Sequence, residues 1–191
     1  DYLNKFPNGK YALEASYNAA TIYNGRKDFV NALVGYEFVA TRAPNRYAEK
    51  SVLQAARISF FELKDFAKAE QYFDQLKSLA TEADIRLESM RGLLRSQYRL
   101  NKWKEAVPNA GELLAQKGIA TDDRMMAYMV VAKSAQKDNQ LEQAVTNFKT
   151  VVGLGKSEFG AEARYQLAAI LFQQNKLPDA EKAAFEVVNK A

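Results

Sequence analysis

One short pattern of polar and apolar residues recurs along this chain at almost constant spacing. One or two polar residues precede a large apolar residue, and an alanine follows three positions later. The large residues are Phe29, Phe66, Trp103, Leu141 and Leu177, and the alanines are Ala32, Ala69, Ala106, Ala144 and Ala180. Successive large residues are 37, 37, 38 and 36 positions apart. Such spacing indicates a repeat protein with five units.

Each copy of the pattern lies between two stretches with helical periodicity. YALEASYNAATIYNG precedes the first copy and FVNALVGYEFVATRAP begins at its large residue, and apolar residues recur in both every three or four positions. We predict that the large residue begins the second helix and that the alanine lets the two helices approach closely. The chain is therefore predicted to form helical hairpins, none of which can bury its apolar face alone. The predicted bounds are 10–45, 46–82, 83–120, 121–157 and 158–191, with 1–9 as the tail of a preceding repeat.

These hairpins resemble tetratricopeptide repeats, which are helix-turn-helix units of 34 residues. In the first copy the family's small, aromatic, alanine, aromatic and proline positions fall on Ala20, Tyr23, Ala32, Tyr36 and Pro44. The resemblance covers essentially the whole chain. It implies an all-α fold, a right-handed superhelical solenoid of helical hairpins over residues 1–191, and we expect this solenoid to be a segment of a longer array.

Three residues depart from the family pattern. The small residue of the first helix is replaced by Arg57 in copy two and by Leu94 in copy three. Pro108 falls in the second helix of copy three, where it lacks an N–H and crowds the carbonyl of Lys104. We therefore expect a kink or a late helix start in copy three.

A narrower resemblance lies at the start of the chain, in YLNKFPNGKYALEASYNAATIY. This stretch is similar to repeats of two bacterial envelope families, the periplasmic Tol–Pal coordination protein and the outer-membrane-barrel assembly lipoprotein. The link RAPNRYAEKS of copy two fits the same pattern. The resemblance implies a location in the bacterial cell envelope, periplasmic or outer-membrane associated, with the cytoplasm as the alternative.

Composition excludes several kinds of catalytic site. The 191 residues include no cysteine and no histidine. This excludes Cys/His zinc sites, Ser-His-Asp triads and Cys-His pairs. We predict a protein that is not an enzyme and that needs neither a metal nor another cofactor. No apolar run approaches the ~18 residues of a membrane span.

The stretch GLGKSEFG, residues 153–160, ends like a phosphate-binding loop. Such a loop needs Gly-x-x-x-x-Gly-Lys-Ser/Thr between a strand and a helix, and Thr150 stands where the first glycine belongs. The preceding residues have the period of a helix, and glycine commonly ends helices. We predict a linker between two hairpins and no bound nucleotide.

In tetratricopeptide arrays the first helices line a concave groove, which the resemblance makes the candidate partner site. The matching residues here are Tyr17, Thr21, Asn24, Gln54, Phe61, Arg91, Arg95, Tyr98, Arg99, Met129, Lys133, Gln136, Lys137, Tyr165 and Phe172. The arginines are spaced by four along one helix, as the two lysines are along the next, so a basic patch is predicted across copies three and four. Its arginines suit an acidic segment or a C-terminal carboxylate, because a guanidinium donates two hydrogen bonds to a carboxylate.

Several functions are compatible with this pattern. The favoured hypothesis is a protein-interaction scaffold that binds a protein or peptide partner in the groove. The basic residues could instead form a solvated helix face. Alternatives are the helical accessory region of a larger envelope enzyme, a binder of an anionic glycan or polymer, or a spacer between domains. Nucleic acid is disfavoured, because the net charge is only +4 and dedicated binders cluster more charge.

Overall fold

The chain folds into helices joined by short turns. The computed structural model describes residues 2–190, and the side chains of all of these except 4 and 186–190. The helices are α1 (Tyr2–Lys5), α2 (Ala12–Gly25), α3 (Phe29–Ala40), α4 (Ala48–Arg57), α5 (Phe66–Leu79), α6 (Ala83–Arg99), α7 (Trp103–Leu114), α8 (Thr121–Lys137), α9 (Leu141–Leu154), α10 (Glu158–Gln173) and α11 (Leu177–Lys190). A π-helical turn, Ile58–Glu62, continues α4. The all-α fold class predicted from the sequence is confirmed.

The helices belong to two compact units. The first unit is Asp1–Leu100 and contains α1 to α6, and the second is Asn101–Ala191 and contains α7 to α11. The division falls in the turn between α6 and α7. Asp1 and Ala191, which the predicted repeat bounds include, lie outside the described residues.

The repeated pattern marks the second helix of every hairpin. Helices α3, α5, α7, α9 and α11 each begin at the large residue of their copy. The alanine three positions later is buried in all five copies. Gly35 of α3 shows how close the paired helices come, because a Cβ there would lie 2.8 Å from the Cβ of Ala20 on α2. Small residues therefore set the distance between the helices of a hairpin, as predicted.

Each hairpin turn contains one residue with a left-handed backbone, two positions before the large residue. These residues are Lys27, Lys64, Asn101, Asn139 and Asn175, with φ between 55° and 61°. Such a residue ends a helix, and glycine or asparagine adopts this conformation at the lowest cost. In three turns the next N–H bonds back to a carbonyl five residues earlier, as Asp28 N does to Tyr23 O at 3.0 Å. The sequence pattern located these turns but did not reveal their left-handed residue.

Lys64 carries a steric cost that glycine would remove. We expect Lys64→Gly to raise the free energy of unfolding by about 0.5 to 1 kcal/mol, because relief of the left-handed strain exceeds the loss of chain entropy. Lys50→Gly is the matched control, since Lys50 lies inside α4 and glycine there should lower stability by about 1 kcal/mol. Denaturation followed by circular dichroism measures both, and equal losses in the two variants would contradict the left-handed turn.

The first unit has a continuous core between consecutive helices. One cluster joins α2 and α3 to α4 through Ala20, Ala32 and Tyr36 on one side and Ala55 and Ile58 on the other. A second cluster joins α4, α5 and α6, with Phe73 fully buried in it. Within this unit, α4 thus covers the hairpin of α2 and α3, and α6 covers the hairpin of α4 and α5.

Arg57, a departure from the family pattern, bonds to the next hairpin. Its guanidinium donates to both carboxylate oxygens of Glu88 on α6, at 2.6 and 2.7 Å. The hydrogen bond to Glu88 raises the pKa of Arg57 above its ordinary value. Arg57 is tolerated at a position where the family has a small residue, because its guanidinium does not pack between helices. It forms an ion pair with Glu88 that links α4 to α6.

A second polar tie joins α3 to α5 around Glu37. Lys68 Nζ lies 2.9 Å from Glu37 Oε1, and the Tyr72 hydroxyl donates to the same oxygen. The bond to Glu37 raises the pKa of Lys68, while burial and then the same carboxylate raise the pKa of Tyr72. Both of these ties therefore serve contacts between hairpins.

The expected effect of Pro108 is wrong in one respect. Helix α7 begins at Trp103, level with the second helix of every other hairpin, and runs through Pro108 to Leu114. Proline removes one backbone hydrogen bond there. Ala106, Ala110 and Leu113 are completely buried, so tertiary packing holds this helix from its first residue.

Candidate functional site

The predicted groove residues of α2 also support the core of the first unit. The Tyr17 ring stacks on Tyr47, with centroids 5.0 Å apart, and meets the edge of Tyr36 at 6.0 Å. The Tyr36 hydroxyl donates to Thr21 Oγ1 at 3.3 Å, and burial raises the pKa of Tyr36. Asn24 is half-buried beside them. Tyr17 and Thr21 therefore stabilise the fold of the first unit, whether or not a partner is bound.

The other groove residues of the first unit lie on α4, its π-helical turn and α6. Gln54 is half-buried, whereas Phe61 is exposed, and its ring meets that of Phe60 edge to face with the centroids 4.9 Å apart. Tyr98 on α6 is partly buried. Phe61 is therefore the most accessible of these side chains.

The three arginines of the predicted basic patch share one unbroken helix, α6. Arg91 and Arg95 are partly buried and make contacts of their own, and Arg99 is exposed. The Arg99 guanidinium lies 5.7 Å from the centroid of the Phe66 ring. The stripe is thus part of the first unit, with its most accessible charge at the end of α6.

Lys133 and Gln136, the groove residues of α8, bond to the neighbouring helix α10. Lys133 Nζ lies 2.5 Å from Glu162 Oε1 and 4.9 Å from the centroid of the Trp103 ring. Gln136 donates to Gln166 Oε1 at 3.1 Å. These side chains tie consecutive hairpins together within the second unit. Lys137, one turn on, is exposed.

Met129 does not fit an open surface. Its side chain is 0% exposed, so it is a core residue of this structure and cannot meet a partner there. Periodicity alone placed it level with Tyr17, which is partly buried, and with Tyr165, which is exposed. The sequence offered no direct sign of the difference, since methionine suits a core and a binding surface equally well.

Tyr165 and Phe172, the groove residues of α10, open into an apolar cavity of the second unit. They are 62% and 68% exposed. The cavity has a volume of about 670 Å³ and lies between α10 and α11. Its other lining residues are Ala168, Ala169, Leu177, Ala180, Glu181 and Ala184. Sequence analysis predicted the two aromatic residues but missed the contribution of α11.

The second helices differ in the residue that lies seven positions after the large residue. Helices α3, α5 and α9 carry Tyr36, Phe73 and Phe148, all buried, whereas α7 and α11 carry Ala110 and Ala184. Ala110 is completely buried, whereas Ala184 is exposed and lines the cavity. The small side chain of Ala184 therefore contributes to the cavity only because its face of α11 is uncovered.

The first unit shows what kind of element fits such a face. On α2 and α3, the corresponding face is covered by α4, whose Ala55 and Ile58 pack on the cluster that contains Ala32 and Tyr36. The natural complement of this surface is therefore a helix with small and branched apolar residues on one side.

Two further properties describe the structure as a whole. None of the helices among residues 2–190 is both long enough and apolar enough to cross a membrane. In the part of the chain with described side chains, no cluster of three or more acidic residues could hold a metal ion.

GLGKSEFG spans the end of α9, a link of three residues and the start of α10. Residues 141–154 form α9, so a helix and not a strand precedes the glycine-lysine-serine sequence. Gly155 has φ 140° and ψ −170°, which suits glycine, and α10 begins at Glu158. Residues 155–157 form the link between two hairpins that was predicted for this stretch, and the residues on either side of them are helical.

Comparison with known proteins identifies the fold. No protein-family model and no curated protein matches this chain. Among solved structures, MamA 41-end from Desulfovibrio magneticus RS-1 is similar, with a TM-score of 0.67 and 16% identity over 95% of both chains. YrrB, a TPR protein with an unusual peptide-binding site, is similar with a TM-score of 0.67 and 15% sequence identity, over 98% of this chain and 91% of the YrrB chain. A tetratricopeptide repeat protein from Parabacteroides merdae ATCC 43184 has a TM-score of 0.56 and 14% sequence identity, over 99% of this chain and 69% of its own. The chain therefore has the all-α fold of tetratricopeptide-repeat proteins.

Proposed function

We propose that this protein is a non-enzymatic scaffold that binds a helical segment of a protein partner in the cavity between α10 and α11. The observation that carries the proposal is the exposure of Tyr165 and Phe172 around an open apolar cavity. Exposed apolar patches of this kind commonly mark interaction sites in soluble domains. The peptide-binding site of YrrB, a protein of the same fold, supports this class of function.

The partner segment is inferred from the packing of the first unit. Helix α4 covers the corresponding face of α2 and α3 with Ala55 and Ile58. An amphipathic helix with small and branched residues at three- and four-residue spacing would fill the α10–α11 cavity in the same way. Because the cavity is already formed by two helices, little ordering cost opposes binding.

Aromatic side chains would dominate the binding energy. Burying an exposed phenylalanine contributes roughly 1.5 to 3 kcal/mol. Tyr165 and Phe172 lie two turns apart on α10, one on either side of Ala169, so apolar side chains on successive turns of the partner helix can contact both. Glu181 lines the same cavity and favours a basic residue at the edge of the partner helix.

Filling the cavity is the direct test of this proposal. Ala184→Phe introduces a bulky residue like those at the equivalent position of α3, α5 and α9, and we expect it to fill the cavity and abolish partner binding. Ala184→Ser keeps the cavity open and should bind like the wild type. A photo-crosslinking amino acid at Leu177, which is exposed and lines the cavity, followed by mass spectrometry of crosslinked peptides from cells of the source organism, identifies the occupant.

The expected result is a crosslink to one amphipathic helical segment in the wild type and Ala184→Ser, and its loss in Ala184→Phe. Identical crosslinks in all three proteins would show that the cavity is not the binding site. Circular dichroism of Ala184→Phe verifies that the helices have remained intact.

We further propose that the partner carries an acidic segment that contacts α6. The proposal rests on Arg91, Arg95 and Arg99, which are spaced by four along that helix, with Arg99 exposed. Arg95→Glu combined with Arg99→Glu, in the same crosslinking experiment, should reduce the yield of partner. An unchanged yield would leave the stripe as a solvated face.

We also propose a location in the bacterial cell envelope. The proposal rests on the similarity of YLNKFPNGKYALEASYNAATIY to repeats of envelope proteins. Fractionation of the source bacterium with an antibody to this chain tests it, and recovery in the cytoplasmic fraction alone would refute it.

A further inference from the structure

The cavity between α10 and α11 repeats, position by position, the surface that α4 covers in the first unit. The residues of α2 and α3 that pack in the core cluster with α4 are Tyr17, Ala20, Phe29, Ala32, Leu33 and Tyr36. Counted from the large residue of each hairpin, the corresponding residues are Tyr165, Ala168, Leu177, Ala180, Glu181 and Ala184, and all of them line the cavity. An element that covers the cavity should therefore present the side chains that α4 presents to the first hairpin.

Three side chains define the contact of α4 and its π-helical turn with the first hairpin. Tyr47 directly precedes α4, and its ring stacks on Tyr17 with the centroids 5.0 Å apart. Ala55 and Ile58 follow it in sequence, and both are buried in the cluster. The covering element is thus defined by a tyrosine, an alanine and an isoleucine at fixed spacing.

Helix α2 carries the same three residue types at the same spacing, as Tyr11, Ala19 and Ile22. The combination Tyr-Ala-x6-Ala-Ala-x-Ile occurs in the sequence at residues 11–22 and 47–58 and nowhere else. In this chain α2 is therefore the only other segment with the combination of side chains that covers such a surface.

This face of α2 is built like that of α4 but is more exposed. In both helices the amide of the residue after the tyrosine bonds to the carbonyl three positions earlier, at 2.9 Å in α2 and 3.1 Å in α4. Tyr11 and Ile22 are each 55% exposed, whereas Ile58 is 2% exposed. Large apolar side chains that are exposed at a spacing used elsewhere for packing indicate an interaction surface.

The charges of the two surfaces also match. Glu181 stands where the first hairpin has Leu33, so the cavity has an acidic residue. Arg26 is exposed directly after α2, four positions from Ile22. An ion pair between Arg26 and Glu181 at the edge of the contact would add little affinity but would fix the register of the helices.

Given the function proposed for this cavity, we propose that its occupant is α2 of a second copy of this chain. Tyr11 of the second copy would stack on Tyr165, and Ala19 and Ile22 would enter the cavity as the corresponding residues of α4 pack on the first hairpin. Because the two faces differ, the contact joins copies head to tail, in a chain or a ring, and does not pair two copies symmetrically.

Helix α1 is the element that such a contact must displace. It precedes Tyr11 as the end of α3 precedes Tyr47, so the end of α11 of the other copy needs the same place. The Tyr2 hydroxyl accepts a hydrogen bond from Tyr11 N at 3.3 Å, and the two rings meet edge to face with centroids 6.3 Å apart. A helix of four residues opens at low cost, so α1 does not prevent association.

Sedimentation equilibrium of the purified chain, up to about 100 µM, tests the proposal. The weight-average mass of the wild type should rise with concentration. Ile22→Asp places a charge against the apolar cavity and should raise the dissociation constant about tenfold or more. A single-chain mass of the wild type at every concentration would overturn the proposal.

Val34→Asp is the matched control and should associate like the wild type. Val34 is also an exposed apolar residue of the first hairpin, at 60%. Gln71, its equivalent on α5, is exposed although the preceding hairpin is in place, so this position lies outside the proposed contact. Equal weakening by Val34→Asp and Ile22→Asp would contradict the assigned face.

Mixing two variants tests the head-to-tail geometry. Ile22→Asp keeps the cavity and Ala184→Phe keeps the face of α2, so each should associate weakly alone, whereas their mixture should form a heterodimer through the one contact with two native faces. If Ala184→Phe loses helical content, Tyr165→Asp, at an exposed position, replaces it. A mixture that associates no better than its components would overturn the proposed contact.

Crosslinking separates this inference from the proposed function. With the photo-crosslinking amino acid at Leu177 in a mixture of ¹⁵N-labelled and unlabelled chains, the crosslinked tryptic peptide should be Tyr11–Arg26 and should include pairs of mixed label. A purified chain that stays single, together with a crosslink in cells to a helical segment of another protein, would refute the second copy and leave the proposed function standing. Absence of any crosslink in cells and in the purified mixture would refute both.

Discussion

Phe148→Ala is expected to lower the free energy of unfolding of the second unit by about 4 kcal/mol. Phe148 is 0% exposed and lies on α9, which packs against both α8 and α10. The substitution removes a ring from a close-packed interior and leaves a cavity that helices on two sides cannot easily close. Urea denaturation followed by the fluorescence of Trp103, the single tryptophan and a residue of the same unit, measures the loss.

Phe172→Ala is the matched control in the same unit. Phe172 is 68% exposed, so its truncation should cost less than about 1 kcal/mol. The same variant should lose partner binding, which separates stability from function. Similar losses of stability in the two variants would mean that Phe172 is covered in solution, and the α10–α11 cavity would then not be open.

Local pattern was enough to predict the hairpins. The large residue and the alanine three positions later are determined by contacts within one hairpin, so their spacing appears directly in the sequence. Ala32 and Ala144 are both completely buried, as the pattern requires. The helices α3 and α9 begin at Phe29 and Leu141 because these residues are the first apolar positions after the polar turn.

The candidate site was predicted less well, because it depends on contacts between hairpins. Lys133 was predicted to face a partner but pairs with Glu162 on α10, 29 residues away in sequence. Met129 was assigned to the same surface and is buried. A helical period indicates which residues share a face, but it does not indicate which neighbour covers that face.

Two other features could be recognised only from the three-dimensional structure. The left-handed conformation of Lys64 is unusual for lysine, so composition did not indicate it. Arg164 belongs to the apolar face of α10 by position, and only the structure shows that it is buried and that its Nε has no hydrogen-bond partner among the described residues. In both cases the residue type conflicts with its surroundings, and such conflicts commonly mark a functional or strained position.

Gly92→Ala is expected to lower the free energy of unfolding of the first unit by about 2 to 3 kcal/mol. A Cβ on Gly92 would lie 2.3 to 2.4 Å from three carbons of the Phe73 ring. That ring is buried between α5 and α6 and cannot move away without displacing its neighbours. The clash outweighs the gain of about 1 kcal/mol that alanine normally gives over glycine inside a helix.

The same substitution at Gly111 provides the control for helix propensity. Nothing lies within 4 Å of a Cβ at Gly111, which is exposed in α7, so Gly111→Ala should raise stability. Because Gly111 belongs to the second unit, hydrogen exchange of individual amides is the appropriate measurement for both variants. Protection should fall in α5 and α6 for Gly92→Ala and rise in α7 for Gly111→Ala.

A double-mutant cycle identifies the clash with Phe73 as the cause. Phe73→Leu alone should be destabilising, because it removes part of a buried ring. Combined with Gly92→Ala, it makes room for the new methyl group, so the double variant should be more stable than the sum of the single losses predicts, by at least 1 kcal/mol. Additive losses would show that Phe73 does not occupy the space above Gly92. The distance between α5 and α6 would then have to be set by other residues of the same core cluster, such as Leu76 and Leu93.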